Sequence, residues 1–142
     1  MSIWVIGILL FLLFDFVVVL FVFLKLKKKK TLGQKELNYI QSHWVRIIDS
    51  FSAHPKHAIL DADKLLDYAL GKHGFEGSLG EKLKKCGARF SDLNGVWSAH
   101  KLRNHVAHEL GDIDKFKAKS ALAQFKKALN DLGANLLLSV EF

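Results

Sequence analysis

Trp97-Ser-Ala-His-Lys-Leu-Arg-Asn-His-Val-Ala-His-Glu109 reads as the later part of an amphipathic helix. Leu93, Val96, Trp97, Val106 and Leu110 fall on its inward side, and Ser91 or Asp92 is placed to cap its start. Gly111 is placed to stop it. The segment brings together a guanidinium (Arg103), an amide (Asn104) and an imidazole (His108). No other part of the chain concentrates reactive groups in this way.

Helical spacing continues on both sides. Downstream, Asp112 is expected to start a last long helix. Its apolar stripe is Phe116, Ala121, Leu122, Phe125, Leu129 and Leu132, with Lys115, Lys117, Lys119, Lys126 and Lys127 in water. The tail from 133 to 142 is apolar and ambiguous. Upstream, Ser78 caps a short helix over Leu79–Cys86 that Gly87 closes, and Gly74–Ser78 is a turn. Pro55 suits the first position of a helix carrying Ile59, Ala62, Leu66, Ala69 and Leu70, ended by Gly74. Leu37, Ile40, Trp44, Ile47, Ile48 and Phe51 predict a helix over roughly 34–52. No run alternates long enough to make a strand. The expected fold is all-α, with four long helices and one short one in a small bundle.

Ile3 to Leu24 is almost unbroken hydrocarbon. As a helix its length is about 33 Å, enough for a hydrocarbon slab of about 30 Å. Lys25, Lys27, Lys28, Lys29 and Lys30 follow at once, and no basic side chain precedes. The positive-inside rule therefore predicts a single-pass anchor in the cell (inner) membrane, N-terminus outside, with residues 31–142 a cytoplasmic domain and 1–30 the anchor with its polybasic flank. A cleaved signal peptide would need a basic leader, a shorter apolar core and a small-residue cleavage site, and this segment lacks them. The lysines suit anionic lipid headgroups. Asp15 lies near the middle of the span, where a carboxyl group costs about 2.5–3.5 kcal/mol to insert; a contact with a second membrane helix is one way to satisfy it, a locally satisfied protonated side chain another. Residues 31–142 hold 16 of the 21 basic and 13 of the 14 acidic residues, a mild +3 of the total +7, so charge alone does not announce a nucleic-acid binder. Cys86 is the single cysteine, so no intrachain disulfide forms.

His100, Asn104 and His108 are four apart and line one helical stripe, which would let Asn104 orient the His108 ring. Arg103 and His108 are about 140° apart around the axis. They converge on one ligand only if the helix loosens near its end or if two copies meet. Metal-free cleavage of RNA needs a base, an acid and a cation at the phosphate, and histidine and arginine supply these. His100, His105, His108 and Glu109 also cluster, but they point around more than half of the helix and lack the H-E-x-x-H order. No metal and no cofactor is expected. His43, His54, His57 and His73 read as surface or capping residues, and Trp44 and Trp97 as packing.

Arg103-Asn104-His105-Val106-Ala107-His108 resembles R-[NHD]-x-x-x-H, the signature of HEPN (higher eukaryote and prokaryote nucleotide-binding) domains, and the resemblance spans roughly residues 34–132. It implies a HEPN-like helical bundle acting as a homodimer with two signatures facing one cleft. Many such domains are metal-independent ribonucleases of toxin–antitoxin or defence systems; others bind nucleotides or act as scaffolds. The resemblance assigns Arg103 to the scissile phosphate, His108 to proton transfer and Asn104 to orienting them, with His100 and His105 as possible supporting residues. Asp61, Asp63 and Asp67 are candidates for a further polar partner, Asp63 foremost as a partner for Arg103. RNA or a nucleotide and an unidentified antitoxin or regulator are the implied partners. The alternative is a membrane-tethered interaction module without catalysis.

Overall fold

The computed structural model describes residues 1–27 and 31–138. Among these residues it contains six α-helices and no strand. The chain divides into two compact units, Met1–Lys30 and Thr31–Phe142.

The first unit is α1 (Ile3–Lys27). It carries large apolar side chains on every side, and over Ile3–Leu24 it is long and apolar enough to cross a membrane. Among the described residues no other helix meets that description. Asp15 lies midway along it. Lys28, Lys29 and Lys30 of the basic flank lie outside the described residues.

The second unit comprises α2 (Gln34–Ser50), α3 (Pro55–Lys72), α4 (Leu79–Cys86), α5 (Leu93–His108) and α6 (Lys115–Asp131). α3 is the hub, packing against α2, α5 and α6, while α5 also packs on α6 and α4 on α3. Trp44, Phe125, Ile40, Ile59, Leu66, Leu70, Leu122 and Leu129 fill the space between them and are almost wholly withdrawn from water. Each helix start has a local cause. Pro55 occupies the first turn of α3. Ser78 and Glu81 form a reciprocal capping box on α4. Asp92 accepts the Gly95 N–H on α5 at 2.9 Å, and Asp114 accepts the Phe116 N–H on α6 at 2.9 Å.

The last two helices depart from the sequence expectation at their ends. α5 stops at His108, three residues before Gly111, and α6 starts at Lys115 rather than at Asp112. The chain needs room to reverse, and Asp114, not Asp112, finds the amide to cap. Lys56 Nζ donates to the Glu109 carbonyl at 2.9 Å, satisfying an oxygen that the early helix end releases. Leu110 therefore sits in a connection and is fully exposed, and Phe116, in the first turn of α6, is 68% exposed; neither faces the core as its spacing suggests.

The ambiguous tail is ordered by specific hydrogen bonds up to Leu138. Gly133 takes a left-handed φ of 93° that ends α6, with Ala134 N–H donating to Leu129 O at 3.0 Å. Asn130 then brackets Leu136, accepting its N–H at 2.6 Å and donating to its carbonyl at 3.2 Å. From α2, Gln41 donates to Ala134 O and Trp44 Nε1 to Leu138 O, each at 2.9 Å. Residues 139–142 lie outside the described residues.

Candidate functional site

The reactive groups of α5 face two different environments. One turn places His100 and Arg103 against α3, and there Asp63 receives both. Asp63 is 5% exposed. Its Oδ1 accepts the Nδ1–H of His100 at 2.7 Å, and its Oδ2 lies 3.3 Å from Arg103 Nε. That second contact is close enough to attract but is not aligned as a hydrogen bond, so Nε is withdrawn from water with no acceptor in line. On the exposed side, Arg103 Nη1 donates to Asn104 Oδ1 at 3.0 Å, and Asn104 Nδ2 donates toward His100 Nε2 at 3.5 Å. The four side chains therefore close a ring, Asp63–His100–Asn104–Arg103–Asp63. Arg103 donates at one end and the Asp63 carboxylate only accepts at the other, which assigns His100 the tautomer with hydrogen on Nδ1.

The surroundings explain why these groups meet. Ala99 and Val106 pack inward on α5 and hold its His100–Arg103 face to α3. The start of α4 lies over the ring: a methyl group built on Gly80 would touch Trp97 and come within 3.9 Å of His100 Nε2. Burial pushes the Asp63 carboxyl above its usual value. The hydrogen bond and charge of His100, and the charge of Arg103, pull it the other way, while nearby Asp67 adds to the rise.

His108 stands apart. It is the last residue of α5, exposed, and has no hydrogen bond or ion pair among the described residues. Asn104 turns toward His100 and Arg103 and not toward His108. The orienting contact expected from their four-residue spacing is replaced by one to the preceding turn, where a ring fixed by Asp63 is already in place. Within a single chain Arg103 and His108 are not gathered on one point. His105 pairs with Glu109 at 3.1 Å on the exposed side of the helix.

The three aspartates of α3 have three different fates. Asp63 joins Arg103 and His100. Asp67 Oδ1 accepts from Lys82 Nζ at 2.8 Å, tying α4 to α3 through a lysine that is 7% exposed. Asp61 stays on the surface, 3.9 Å from Lys64. The Asp63–His100 pair is the feature that sequence spacing alone does not show. A signal exists, since His100 and Arg103 are three apart on one face and need an anion opposite, but only the packing selects Asp63. His73 and Arg89 also meet: Arg89 Nη1 donates to His73 Nδ1 at 2.9 Å, and His73 Nε2 donates to Leu132 O at 3.1 Å. Trp44 and Trp97 pack with the core, Trp44 being 2% exposed.

Among the described residues no group of three or more His, Cys, Asp or Glu is placed to hold a metal ion. Cys86 is buried, and burial raises its thiol above the usual value. Comparison of the chain with protein-family models, with curated proteins and with solved structures finds no match.

Proposed function

We propose that this protein is a single-pass membrane protein whose second unit is a HEPN-type, metal-independent endoribonuclease working as a homodimer on the cytoplasmic side. The anchor part of the reading rests on the length and composition of Ile3–Leu24 and on the lysines that follow it. The observation that carries the site is the hold of buried Asp63 on Arg103. With Nε anchored and Nη1 on Asn104, Nη2 has no acceptor among the described residues. A guanidinium so oriented presents a fixed donor edge to a phosphate.

His108 is exposed and unpartnered on the same helix, in the state a proton-transfer group requires. Two copies of α5 side by side supply Arg103 from one and His108 from the other. In the reaction, the 2′-oxygen loses its proton and attacks phosphorus, the P–O5′ bond breaks, and the leaving oxygen takes a proton. The products are a 2′,3′-cyclic phosphate and a 5′-hydroxyl. In this reading Arg103 neutralises the phosphorane, the two His108 rings exchange the protons, and an antitoxin-like regulator would act by covering this face.

One observation favours a second reading. Asp63, His100 and Asn104 find their side-chain partners within this one cluster, as in a purely structural junction between α3 and α5. In that case the protein is a membrane-tethered interaction module. The test is incubation of the protein with mixed RNA in EDTA beside Arg103→Ala and His108→Ala. Cleavage that survives EDTA, disappears in both variants and leaves cyclic phosphate ends supports the enzyme. A folded, dimeric protein without cleavage leaves the interaction module.

A further inference from the structure

Asp15 stands alone in α1. Its carboxyl is exposed and has no hydrogen bond or ion pair among the described residues. No other charged residue lies between Ile3 and Leu24. Along the helix axis Asp15 is about 18 Å from Ile3 and about 14 Å from Leu24, close to the middle of a hydrocarbon slab of about 30 Å. At that depth there is no water to bond the carboxyl oxygens. Ionisable side chains so placed are costly and are as a rule turned toward a protein partner.

The same side of α1 is shaped for close approach. Gly7, Phe11, Asp15, Val18 and Val22 fall within about 80° of arc at about 100° per residue. Gly7 is the only glycine of α1, and a methyl group built on it would touch nothing. With Trp4 and Phe11 beside it, Gly7 opens a notch of about 420 Å³ in the helix surface. Lipid tails are as apolar as leucine, so membrane helices are held together by close packing at small residues and by hydrogen bonds between polar ones. This side of α1 supplies both. Val18 and Val22 add side chains whose χ1 the helix already fixes, so covering them costs little freedom. The opposite side is Leu9, Leu13, Phe16 and Leu20, which suits acyl chains.

Charge decides what the neighbouring helix brings. A second copy offers no cation at this depth: its lysines begin at Lys25, about 15 Å further along the axis, and its own Asp15 is another carboxyl. Two carboxyls meet only if one takes up a proton. A lysine or arginine meets the carboxylate as it stands at neutral pH, through charge-assisted hydrogen bonds that a medium without water strengthens. We infer that α1 pairs in the membrane with a helix of a different protein that carries a lysine or arginine at its midplane. Asp15 meets that cation, Gly7 admits the neighbouring backbone two turns away, and Val18 and Val22 pack on the other side of Asp15. The inference rests on the single-pass reading of Ile3–Leu24 and is independent of the ribonuclease reading, since no residue of the second unit takes part in it.

The experiment reconstitutes the full chain, labelled with a donor fluorophore, in phosphatidylcholine vesicles at neutral pH. The probe is an acceptor-labelled synthetic transmembrane helix of leucine and alanine with one lysine at its midpoint; a control helix has leucine there. Energy transfer reads association, and alkaline extraction with protease protection reads whether the chain spans the bilayer. The lysine helix is expected to associate about tenfold or more tightly than the leucine helix. Asp15→Leu is expected to abolish that preference, and Asp15→Asn, which keeps a hydrogen-bonding group without the charge, to lose most of it. Gly7→Ile is expected to weaken the pairing about threefold or more by closing the notch. A spanning chain that binds both helices equally overturns the inference, and so does a preference that survives either change at Asp15. Pairing untouched by Gly7→Ile overturns the face assigned. Energy transfer between two labelled copies as strong as with the lysine helix, and lost in Asp15→Leu, gives the face to a second copy and overturns the inference as well. A chain that fails to span the bilayer overturns the single-pass reading itself, and the inference with it.

Discussion

Asp63 Oδ1 accepts the Nδ1–H of His100 at 2.7 Å across the α3–α5 contact. The same carboxylate faces Arg103 with its other oxygen. One side chain therefore fixes the orientation of the helix that carries every reactive group of the candidate site. Removing it in Asp63→Ala strands a buried imidazole N–H and a guanidinium, and the expected loss is about 1.5–3 kcal/mol of stability. Asp63→Asn keeps an acceptor for His100 and is expected to lose less. Denaturation followed by tryptophan fluorescence measures both; equal losses for the two variants would contradict the role given to the acceptor.

Burial holds the Asp63 carboxyl above its ordinary value, so the folded chain binds a proton there more tightly than the unfolded chain. Stability from this group is present below pH 3.8 and is lost as pH rises through the raised value. Asp63→Asn does not titrate. The stability difference between the natural chain and this variant is thus expected to shrink as pH rises through the raised titration of Asp63. A difference that grows over that window would mean that His100 and Arg103 outweigh burial.

His108 and His100 separate chemistry from packing. His108 is exposed and without partners among the described residues, so His108→Ala is expected to change stability by less than about 0.5 kcal/mol while abolishing RNA cleavage. His100→Ala removes the hydrogen bond to Asp63 and is expected to lower stability by about 1.5–3 kcal/mol. Thermal melts beside the cleavage assay resolve the two. Cleavage retained by His108→Ala would remove His108 from the reaction.

Trp44 anchors the segment that follows α6. Trp44→Phe keeps most of the packing but loses the hydrogen bond to Leu138 O, and a loss of about 1 kcal/mol is expected. Amide exchange within residues 133–138 should accelerate in that variant. Unchanged exchange would mean that Gln41 and Asn130 hold the segment alone.

Asp15 is the one charged residue between Ile3 and Leu24. Asp15→Leu is expected to favour membrane insertion of α1 by about 2.5–3.5 kcal/mol, read from a glycosylation-based insertion assay. If Asp15 pairs with a second copy, the same change lowers self-association of α1 in a membrane reporter; unchanged association would exclude that pairing.

The helices were legible wherever a local signal defined them. Pro55 begins α3 and Ser78 caps α4 as expected, Glu81 adding the reciprocal bond, and of the two cap candidates for α5 it is Asp92 that serves. The connection from α5 to α6 was not, because Asp112 and Asp114 are equivalent in sequence and only the path of the chain chooses between them. Leu110 and Phe116 misled for the same reason, since periodicity assigns a face without knowing where the helix ends. At the candidate site, Arg103, Asn104 and His108 stand out by residue type alone. The Asp63–His100 contact spans 37 positions and depends on how α3 and α5 cross, which no spacing encodes.

The run of donors from Arg103 through Asn104 and His100 to Asp63 has a further consequence. A proton added at His100 Nε2 would face the Asn104 amide nitrogen, and the amide must turn over to offer its oxygen. That turn takes from Arg103 Nη1 the acceptor it holds at 3.0 Å. The guanidinium then has a second free donor, and an arriving anion finds a fork instead of a single prong. Asn104 thus ties the donors that Arg103 can offer to the atom that His100 turns toward it.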